Sequence, residues 1–220
     1  MKKFFASFIA LALFGAASYA QQSSFLLGGG YAGVNVSSVT SYGESSSTDA
    51  KPFMGFYGMF SDRILFGNFA LTPSLVYSYS TRRVDDSFGT SSITLAEGSM
   101  RESEHRIGLS LNAEYGFDIA FGAVRPYFFA GVTPELLLSS KEHYVTSDVL
   151  TGEHEWTVDN MGDSPVWRPF DVLAGGGAGV DIINMVRLFG GYRYGLLDIA
   201  VSDNVTAHRG GWYVGLQLMF

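Results

Sequence analysis

Several residues of this chain stand in groups that could, by residue type alone, do chemistry. Ser103, Glu104 and His105 are consecutive and supply a nucleophile, an acid and a base. Such a set works only when its members lie within hydrogen-bond reach of one another. On a β-strand, neighbours in sequence point to opposite faces of the sheet. The spacing therefore argues against catalysis here, and no catalytic residue is predicted.

Two further histidines, His143 and His154, lie in an acidic stretch that also contains Glu142, Glu153 and Glu155. A helical zinc site would place two histidines four residues apart with a glutamate between them, and this stretch lacks that spacing. The chain also has no cysteine, which excludes disulfide bonds and thiolate metal ligands. We therefore expect a solvated acidic loop and no metal site.

Two glycine-rich runs, within residues 28–33 and 175–179, contain four glycines each. Glycine-rich runs can cradle phosphate groups, but such a loop must open a helix within a βαβ unit. No helical periodicity follows either run. The glycines are better explained as relief of crowding in a narrow, strongly curved sheet, and no cofactor is predicted.

A set of charged residues after position 100 lies at alternate positions of extended segments, so its members share one face. In segment 106–118, for example, Arg106 and Glu114 alternate with apolar residues such as Ile107 and Leu111. The set assigned to this face is Arg106, Glu114, Asp118, Arg125, Glu135, Asp171, Asp181, Arg187, Arg193 and Arg209. A charged face opposite an apolar face is typical of a barrel wall between a polar lumen and lipid.

A period of two residues continues from Phe25 to the end of the chain and predicts strands. Eight are expected near residues 25–37, 51–61, 68–82, 101–118, 124–141, 166–182, 186–199 and 208–220. Short connections are expected at Ser61–Gly67, Asp118–Val124 and Asp181–Val186, and long polar ones at Ser37–Ala50, Arg83–Met100, Glu142–Pro165 and Asp198–Ala207. Short turns at one end and long loops at the other predict a closed, antiparallel, up-and-down transmembrane β-barrel with periplasmic turns and external loops.

The bulk composition and the N-terminus support an exported membrane barrel. The 220 residues are 47% hydrophobic and only 16% charged, yet no apolar run after residue 20 reaches the roughly 18 residues of a membrane helix. Lys2 and Lys3, an apolar stretch and Ser18-Tyr19-Ala20 predict a signal peptide over residues 1–20, cleaved between Ala20 and Gln21. The barrel domain is then 21–220. A net charge of −7 without a basic stripe argues against nucleic acid as a partner.

The terminal run WYVGLQLMF carries Trp212, Val214, Leu216, Leu218 and Phe220 on one face. It resembles the signal by which the barrel-assembly machinery recognises its substrates. The runs DVLAGGGAGVDI and VRLFGGYRYGLLDI, with GGGYAGVNVSS, PFMGFYGMFSD and RPYFFAGVTPELLL, resemble PorT-like outer-membrane β-barrels of Bacteroidota-type bacteria. The resemblance implies an eight-stranded, OmpX-like barrel in the bacterial outer membrane, with no catalytic residues.

An eight-stranded barrel is only wide enough inside for side chains to fill. We therefore expect Arg106, Arg187, Arg193 and Arg209 to pair with Glu114, Glu135 and Asp171, and Arg125 to join this network. The favoured function is a structural or surface-interaction barrel with a charge-plugged lumen. Its partners would be outer-membrane lipid, the assembly machinery and a protein bound by the external loops. A small pore and an outer-membrane lipid-modifying enzyme are the alternatives.

Overall fold

A computed structural model describes residues 23–40, 52–90, 93–119, 123–148, 152–162, 165 and 167–220. The predicted signal peptide, residues 1–20, and the cleavage site between Ala20 and Gln21 lie outside these ranges. Within them, no helix is long and apolar enough to cross a membrane.

The described residues form one antiparallel sheet of nine strands. The strands are β1 (Ser23–Thr40), β2 (Phe53–Phe66), β3 (Phe69–Thr90), β4 (Ile93–Gly116), β5 (Val124–Asp148), β6 (Gly152–Asp159), β7 (Phe170–Ile182), β8 (Val186–Gly195) and β9 (Val205–Met219). The first strand pairs with the last, and β5 pairs with both β4 and β7. Every strand except β6 therefore belongs to a closed ring of eight, and the predicted eight-stranded up-and-down barrel is confirmed.

Alternation along each strand separates the two faces of the wall. In β9, Trp212, Val214 and Leu216 point outward, whereas Tyr213 and Gln217 are buried in the lumen. Closure leaves no sheet edge within this wall, and an open edge in hydrocarbon would leave backbone groups unpaired. The predicted phase of the last strand agrees with the structure.

The ninth strand corrects the prediction for the loop at Glu142–Pro165. Strand β5 continues to Asp148, and β6 folds back to pair with its last eight residues. The predicted loop at Arg83–Met100 is likewise paired, because β3 runs to Thr90 and β4 begins at Ile93. All eight residues of β6 are exposed. Neither face of these extensions is uniformly apolar, so hydrophobic periodicity gives no signal for them.

Other boundaries also differ from the prediction. Strand β2 continues past Ser61 to Phe66, and the expected connection Ser61–Gly67 shrinks to a turn at Gly67 and Asn68. Gly67 has a φ of 66°, a conformation that glycine adopts without steric cost. Strand β7 begins at Phe170, β8 ends at Gly195 and β9 begins at Val205.

The outer face carries an apolar band whose height matches a membrane. On β3, all outward residues from Phe69 to Tyr79 except the half-buried Pro73 are exposed, and in register they face Tyr115 to His105 on β4. Ten residue steps at about 3.4 Å each, tilted by about 40°, give a height of roughly 26 Å, close to the ~25 Å band of membrane barrels. We call the end with the short turns the turn end and the opposite end the loop end.

Candidate functional site

The sequence predicted a network of charged residues in the lumen, so the lumen is the candidate site. Residues of β4 mark successive heights along the lumen axis. Even-numbered residues of β4 point inward, from Glu114 near the turn end to Glu102 near the loop end. Buried groups from other strands meet them in three layers: a lower charge cluster, an aromatic layer and an upper charge cluster.

The lower charge cluster consists of Arg63, Glu114, Asp181 and Arg187, all buried. Arg187 donates from Nη1 to Glu114 at 2.8 Å and from Nε to Asp181 at 2.8 Å. Arg63 lies 3.2 Å from Glu114 and 3.0 Å from Asp181. Thr72 also donates to Glu114 at 2.6 Å. Two cations thus share two carboxylates, which offsets much of the cost of burying four charges.

The aromatic layer fills the middle of the barrel. Its buried members are Tyr57, Met59, Val76, Tyr127, Phe129 and Tyr213, with Ala32 and Phe189 packed against them. Ring centroids of Tyr57 and Tyr213 lie 6.3 Å apart at 86°, an edge-to-face contact. Charged groups cap this layer on both sides, because Arg187 lies 4.3 Å from the Tyr127 ring and Arg193 lies 4.3 Å from the Tyr213 ring.

Glycines of the wall make room for these rings. A Cβ on Gly215 would lie 2.2 Å from the Tyr57 hydroxyl, and one on Gly179 would lie 2.4 Å from the Tyr127 ring. Both distances are far below van der Waals contact. Gly179 belongs to the second glycine run, so this run leaves space for a large side chain of the lumen, and Gly215 on β9 does the same outside the two runs.

The upper charge cluster consists of Glu104, Arg106, Glu135, Asp171, Arg193 and Arg209. Arg209 donates from Nη2 to both carboxylate oxygens of Glu104 at 2.6 Å, and Arg106 lies 3.4 Å from the same carboxylate. Glu135, Arg193 and the two other arginines line one cavity of about 80 Å³. Asp171 accepts the backbone N–H of Val172 at 2.7 Å.

Beyond the upper cluster, polar contacts continue onto the strand extensions. Arg82 lies 2.6 Å from Glu102 and stacks 4.5 Å from the Phe53 ring. The Tyr144 hydroxyl donates to Glu142, and this hydrogen bond, together with desolvation, raises the pKa of Tyr144 to about 12. The Tyr144 ring stacks on Trp156 of β6, with ring centroids 5.2 Å apart. This stack and the backbone pairs between the two strands hold β6 against β5.

The structure places most of the predicted lumen residues inside the wall. Arg106, Glu114, Arg125, Glu135, Asp171, Arg187 and Arg209 are buried, and Arg193 is partly exposed. The expectation for Asp118 is wrong: it is exposed beyond the end of β4, 3.9 Å from Arg125. Arg125 instead donates to the Asn68 carbonyl at 3.2 Å.

The ion pairs differ from the prediction, because three charged residues of the lumen were not selected: Arg63, Glu102 and Glu104. Arg187 pairs with Glu114 as expected, but Arg209 and Arg106 meet Glu104 rather than Glu135 or Asp171. Arg63 was assigned to a turn, and Glu102 lay within the predicted strand but was not selected. Extending the even-numbered phase of Arg106 toward lower numbers would have selected both Glu104 and Glu102.

The histidines do not assemble the groups considered from sequence. Glu104 points into the lumen, whereas His105 contacts the outward-facing Tyr77 hydroxyl through Nδ1 at 2.6 Å. His143 lies 2.6 Å from Glu155 through Nε2. Among the described residues, no three His, Asp or Glu side chains are arranged to hold a metal ion.

These features define an integral outer-membrane β-barrel. The family model described as "Outer membrane protein beta-barrel domain" matches residues 19–201, so the chain belongs to this family and to the bacterial outer membrane. The finer resemblance to PorT-like proteins stays a prediction. No curated protein matches the chain significantly.

Several solved barrels are similar to this chain. OprG from Pseudomonas aeruginosa is 15% identical, with a TM-score of 0.45 over 91% of this chain and 97% of that chain. Neisserial surface protein A is 19% identical, with a TM-score of 0.42 over 91% and 100%. Ail of Yersinia pestis is 16% identical, with a TM-score of 0.42 over 91% and 100%.

Proposed function

We propose that this chain is a structural or surface-interaction barrel whose lumen is closed by its own side chains, without enzymatic activity. The supporting observation is that ion pairs join opposite walls. Arg209 on β9 meets Glu104 on β4, and Arg63 on β2 meets Asp181 on β7. Each pair is four strands apart in either direction around the ring. These pairs, together with the aromatic layer between them, are the groups that would block a continuous path through the lumen.

Single-channel recording tests the closed lumen. The refolded protein, residues 21–220, is expected to be silent in a planar bilayer. Opening all three layers together, with Tyr57→Ala, Tyr213→Ala, Arg63→Ala and Arg209→Ala, is expected to produce ion conductance, because both pairs across the lumen and two rings of the aromatic layer are then removed. The outward neighbours on the same strands, Phe56 and Trp212, provide the control: Phe56→Ala with Trp212→Ala is expected to stay silent. Steady, well-resolved openings of the unmodified protein would favour the small pore instead.

The surface-interaction role depends on which end of the barrel faces outward. We propose that the turn end is periplasmic and that β6 and the extensions of β3, β4 and β5 project from the cell. The chain has no cysteine, so single substitutions report exposure cleanly. Thr157→Cys on β6 is expected to react with a membrane-impermeant maleimide on intact cells. Asn184→Cys in the β7–β8 turn is expected to react only after lysis, and the reverse pattern would overturn the orientation.

Export with cleavage after Ala20 is part of the same proposal. The protein extracted from outer membranes is expected to begin at Gln21, which intact mass spectrometry measures directly. Its far-ultraviolet circular dichroism is expected to be that of a β-sheet protein. A retained leader would contradict the proposed signal peptide without affecting the closed lumen.

A further inference from the structure

One carboxylate stands on the lipid-facing surface of the wall. Asp62 on β2 lies between Ser61 and Arg63, which are buried in the lumen, so its side chain points outward. In register it faces Phe25 on β1, an exposed residue of the outer surface. Among the described outward residues of the apolar band, Asp62 is the only Asp, Glu, Lys or Arg. It therefore interrupts a surface that is otherwise without acidic or strongly basic groups.

Nothing in the described part of the chain pairs with this carboxylate. Its Oδ1 atom is buried and has no hydrogen-bond partner, and the ion pairs of the described residues do not include Asp62. The ladder between β2 and β3 also lacks pairs for Asp62 and Arg63, where Pro73 has no N–H to donate. An ionisable group at membrane depth is costly unless it finds a partner. That partner is expected to come from outside the chain.

Asp62 lies in the part of the band that is nearer the turn end. Phe66 is the last residue of β2, and Asp62 precedes it by four residues. At about 3.4 Å per residue and a tilt of about 40°, Asp62 is roughly 10 Å above the turn. Polar side chains and headgroups approach each other over such distances through extension of the side chain toward the interface and local thinning of the bilayer. The charges nearest to Asp62 outside the chain are those of headgroups in the leaflet at the turn end.

A depression in the outer surface lies on the loop-end side of Asp62. Gly58 on β2 is in register with Gly29 on β1, and a Cβ added to Gly58 would meet no atom within 4 Å. The Phe60 ring stacks on Phe25, with ring centroids 6.0 Å apart, and so leaves the space at Gly58 open. Exposed large residues frame the two glycines: Phe56, Phe60, Tyr77 and Leu216. A carboxylate beside an apolar depression matches a lipid that has a cationic headgroup and an acyl chain.

We propose that Asp62 and the depression at Gly58 bind a phospholipid with a primary ammonium headgroup, of the phosphatidylethanolamine type, in the leaflet at the turn end. A primary ammonium has three N–H donors, so it supplies both the hydrogen bond that Oδ1 lacks and a countercharge. Such charge-assisted hydrogen bonds are the strong ones, and a low dielectric strengthens them further. The acyl chain fills the depression beside Phe60. A trimethylammonium headgroup has the charge but no N–H, and an anionic headgroup is repelled, so the site is selective.

Native mass spectrometry of the refolded protein, residues 21–220, tests the proposal with three probes that have identical acyl chains: phosphatidylethanolamine, phosphatidylcholine and phosphatidylglycerol. We expect phosphatidylethanolamine to be retained most strongly and phosphatidylglycerol least. Asp62→Asn is expected to weaken the binding of phosphatidylethanolamine roughly tenfold, since a hydrogen bond to a charged group contributes that much or more, and to remove the preference over phosphatidylcholine. Gly58→Leu fills the depression and is expected to weaken the binding of both lipids alike.

Asp118→Asn provides the matched control, because Asp118 is an exposed carboxylate at the turn end that lies beyond β4 and outside the lipid-facing wall. It is expected to retain phosphatidylethanolamine as the unmodified protein does. An unchanged preference in Asp62→Asn would overturn the site, because Asp62 would then be tolerated in the membrane without a ligand. Equal loss in Asp118→Asn would overturn it by assigning the selectivity to general surface charge, and unchanged binding by Gly58→Leu would overturn the placement of the acyl chain. The measurement involves neither the lumen nor the orientation in cells, so its failure is distinct from failure of the conductance or cysteine-labelling experiments.

Discussion

At the scale of single residues, Glu114 is the carboxylate at the centre of the lower charge cluster. It contacts Arg63, Arg187 and the Thr72 hydroxyl, all within the lower charge cluster. Its side chain is 3% exposed, so water replaces few of these contacts if the carboxylate is removed. The arginines would then share Asp181 alone.

We therefore expect Glu114→Ala to destabilise the barrel by about 3–5 kcal/mol, the usual effect of leaving a buried charge uncompensated. Urea unfolding from lipid vesicles measures the change. Glu155 provides a control, because it also contacts a side-chain nitrogen, that of His143, but is exposed on β6, and Glu155→Ala should cost under about 1 kcal/mol. If Glu114→Ala and Glu155→Ala were equally stable, the lower charge cluster would not be stabilising the barrel.

The sequence predicts lumen residues well where one face of a strand is polar and the other apolar. Arg106, Glu114 and Arg187 were found in this way. Arg63 was missed because the second strand was predicted to end at residue 61. Inward residues of β2 such as Tyr57 and Met59 are themselves apolar, so hydrophobicity does not distinguish the two faces of that strand and gave no reason to extend it. Partners across the ring depend on register and closure, which a period of two residues does not encode.

At the scale of elements, the terminal strand closes the ring. Phe220 and Phe25 exchange backbone hydrogen bonds, at 2.9 Å and 3.3 Å, and the Phe220 side chain is fully outward. Deleting Phe220 removes both the last backbone pair and the aromatic ring. Phe220→Ala removes only the ring, so the two variants separate closure from recognition.

If Phe220 is an assembly signal, both variants should reduce the amount of inserted protein in cells and increase periplasmic degradation. Both should still refold in detergent, because a single pair at the end of fifteen β1–β9 pairs contributes little to the wall. Fractionated membranes, probed with an antibody, give the inserted amount. Normal insertion of Phe220→Ala would refute the assembly signal. The deletion variant would then test the role of the last backbone pair.

The connection between β8 and β9 is organised by one carboxylate outside the membrane band. Asp198 Oδ1 accepts the backbone N–H groups of Ala207 at 2.9 Å and Ala200 at 3.0 Å. These hydrogen bonds, that of Ala207 first, lower the pKa of Asp198 from its usual range. Because the folded pKa is the lower one, this stabilisation is complete above the unfolded pKa of about 3.9 and is lost as pH falls through the folded pKa.

We expect the amide resonances of Ala200 and Ala207 to titrate together, at a pH below the usual aspartate range, in NMR spectra of the protein in nanodiscs. Asp198→Asn retains the acceptor oxygen and should abolish the titration while keeping the loop ordered. Asp198→Ala should abolish both. A titration midpoint at the ordinary aspartate value would contradict the hydrogen-bonded arrangement.

The strand extensions show what sequence periodicity leaves out at this scale. Exposed β6 pairs through its backbone and through the stack of Tyr144 on Trp156, neither of which requires an apolar face. Barrel strands such as β9 face lipid on one side and the lumen on the other. Residues on the lipid side must therefore be apolar, and this produces the alternation along the sequence. Strands beyond the membrane have no such constraint, which explains why the wall was predicted and the extensions were not.

At the scale of the whole molecule, side chains in the lumen connect the strands of the ring, in addition to the backbone hydrogen bonds between neighbouring strands. Backbone pairs join each strand only to its neighbours, whereas Glu104–Arg209 joins β4 to β9 and Arg63–Asp181 joins β2 to β7. Both pairs cross the full width of the barrel. The aromatic layer lies between them and links to both clusters through Arg187 and Arg193. These contacts therefore connect opposite sides of the wall, which the backbone hydrogen bonds do not.

A double-mutant cycle on Glu104 and Arg209 tests this bracing directly. Each single alanine variant leaves a buried charge without its main partner, whereas the double variant removes both charges, so the losses should not add. We expect a coupling free energy near the upper end of the usual range of about 0.5–3 kcal/mol, measured by urea unfolding from lipid. The reversed pair, Glu104→Arg with Arg209→Glu, should recover part of the stability because the attraction is restored, although Arg106 would then face a cation rather than a carboxylate. Additive losses in the cycle, with no recovery in the reversed pair, would mean that the contact across the lumen is incidental to the stability of the barrel.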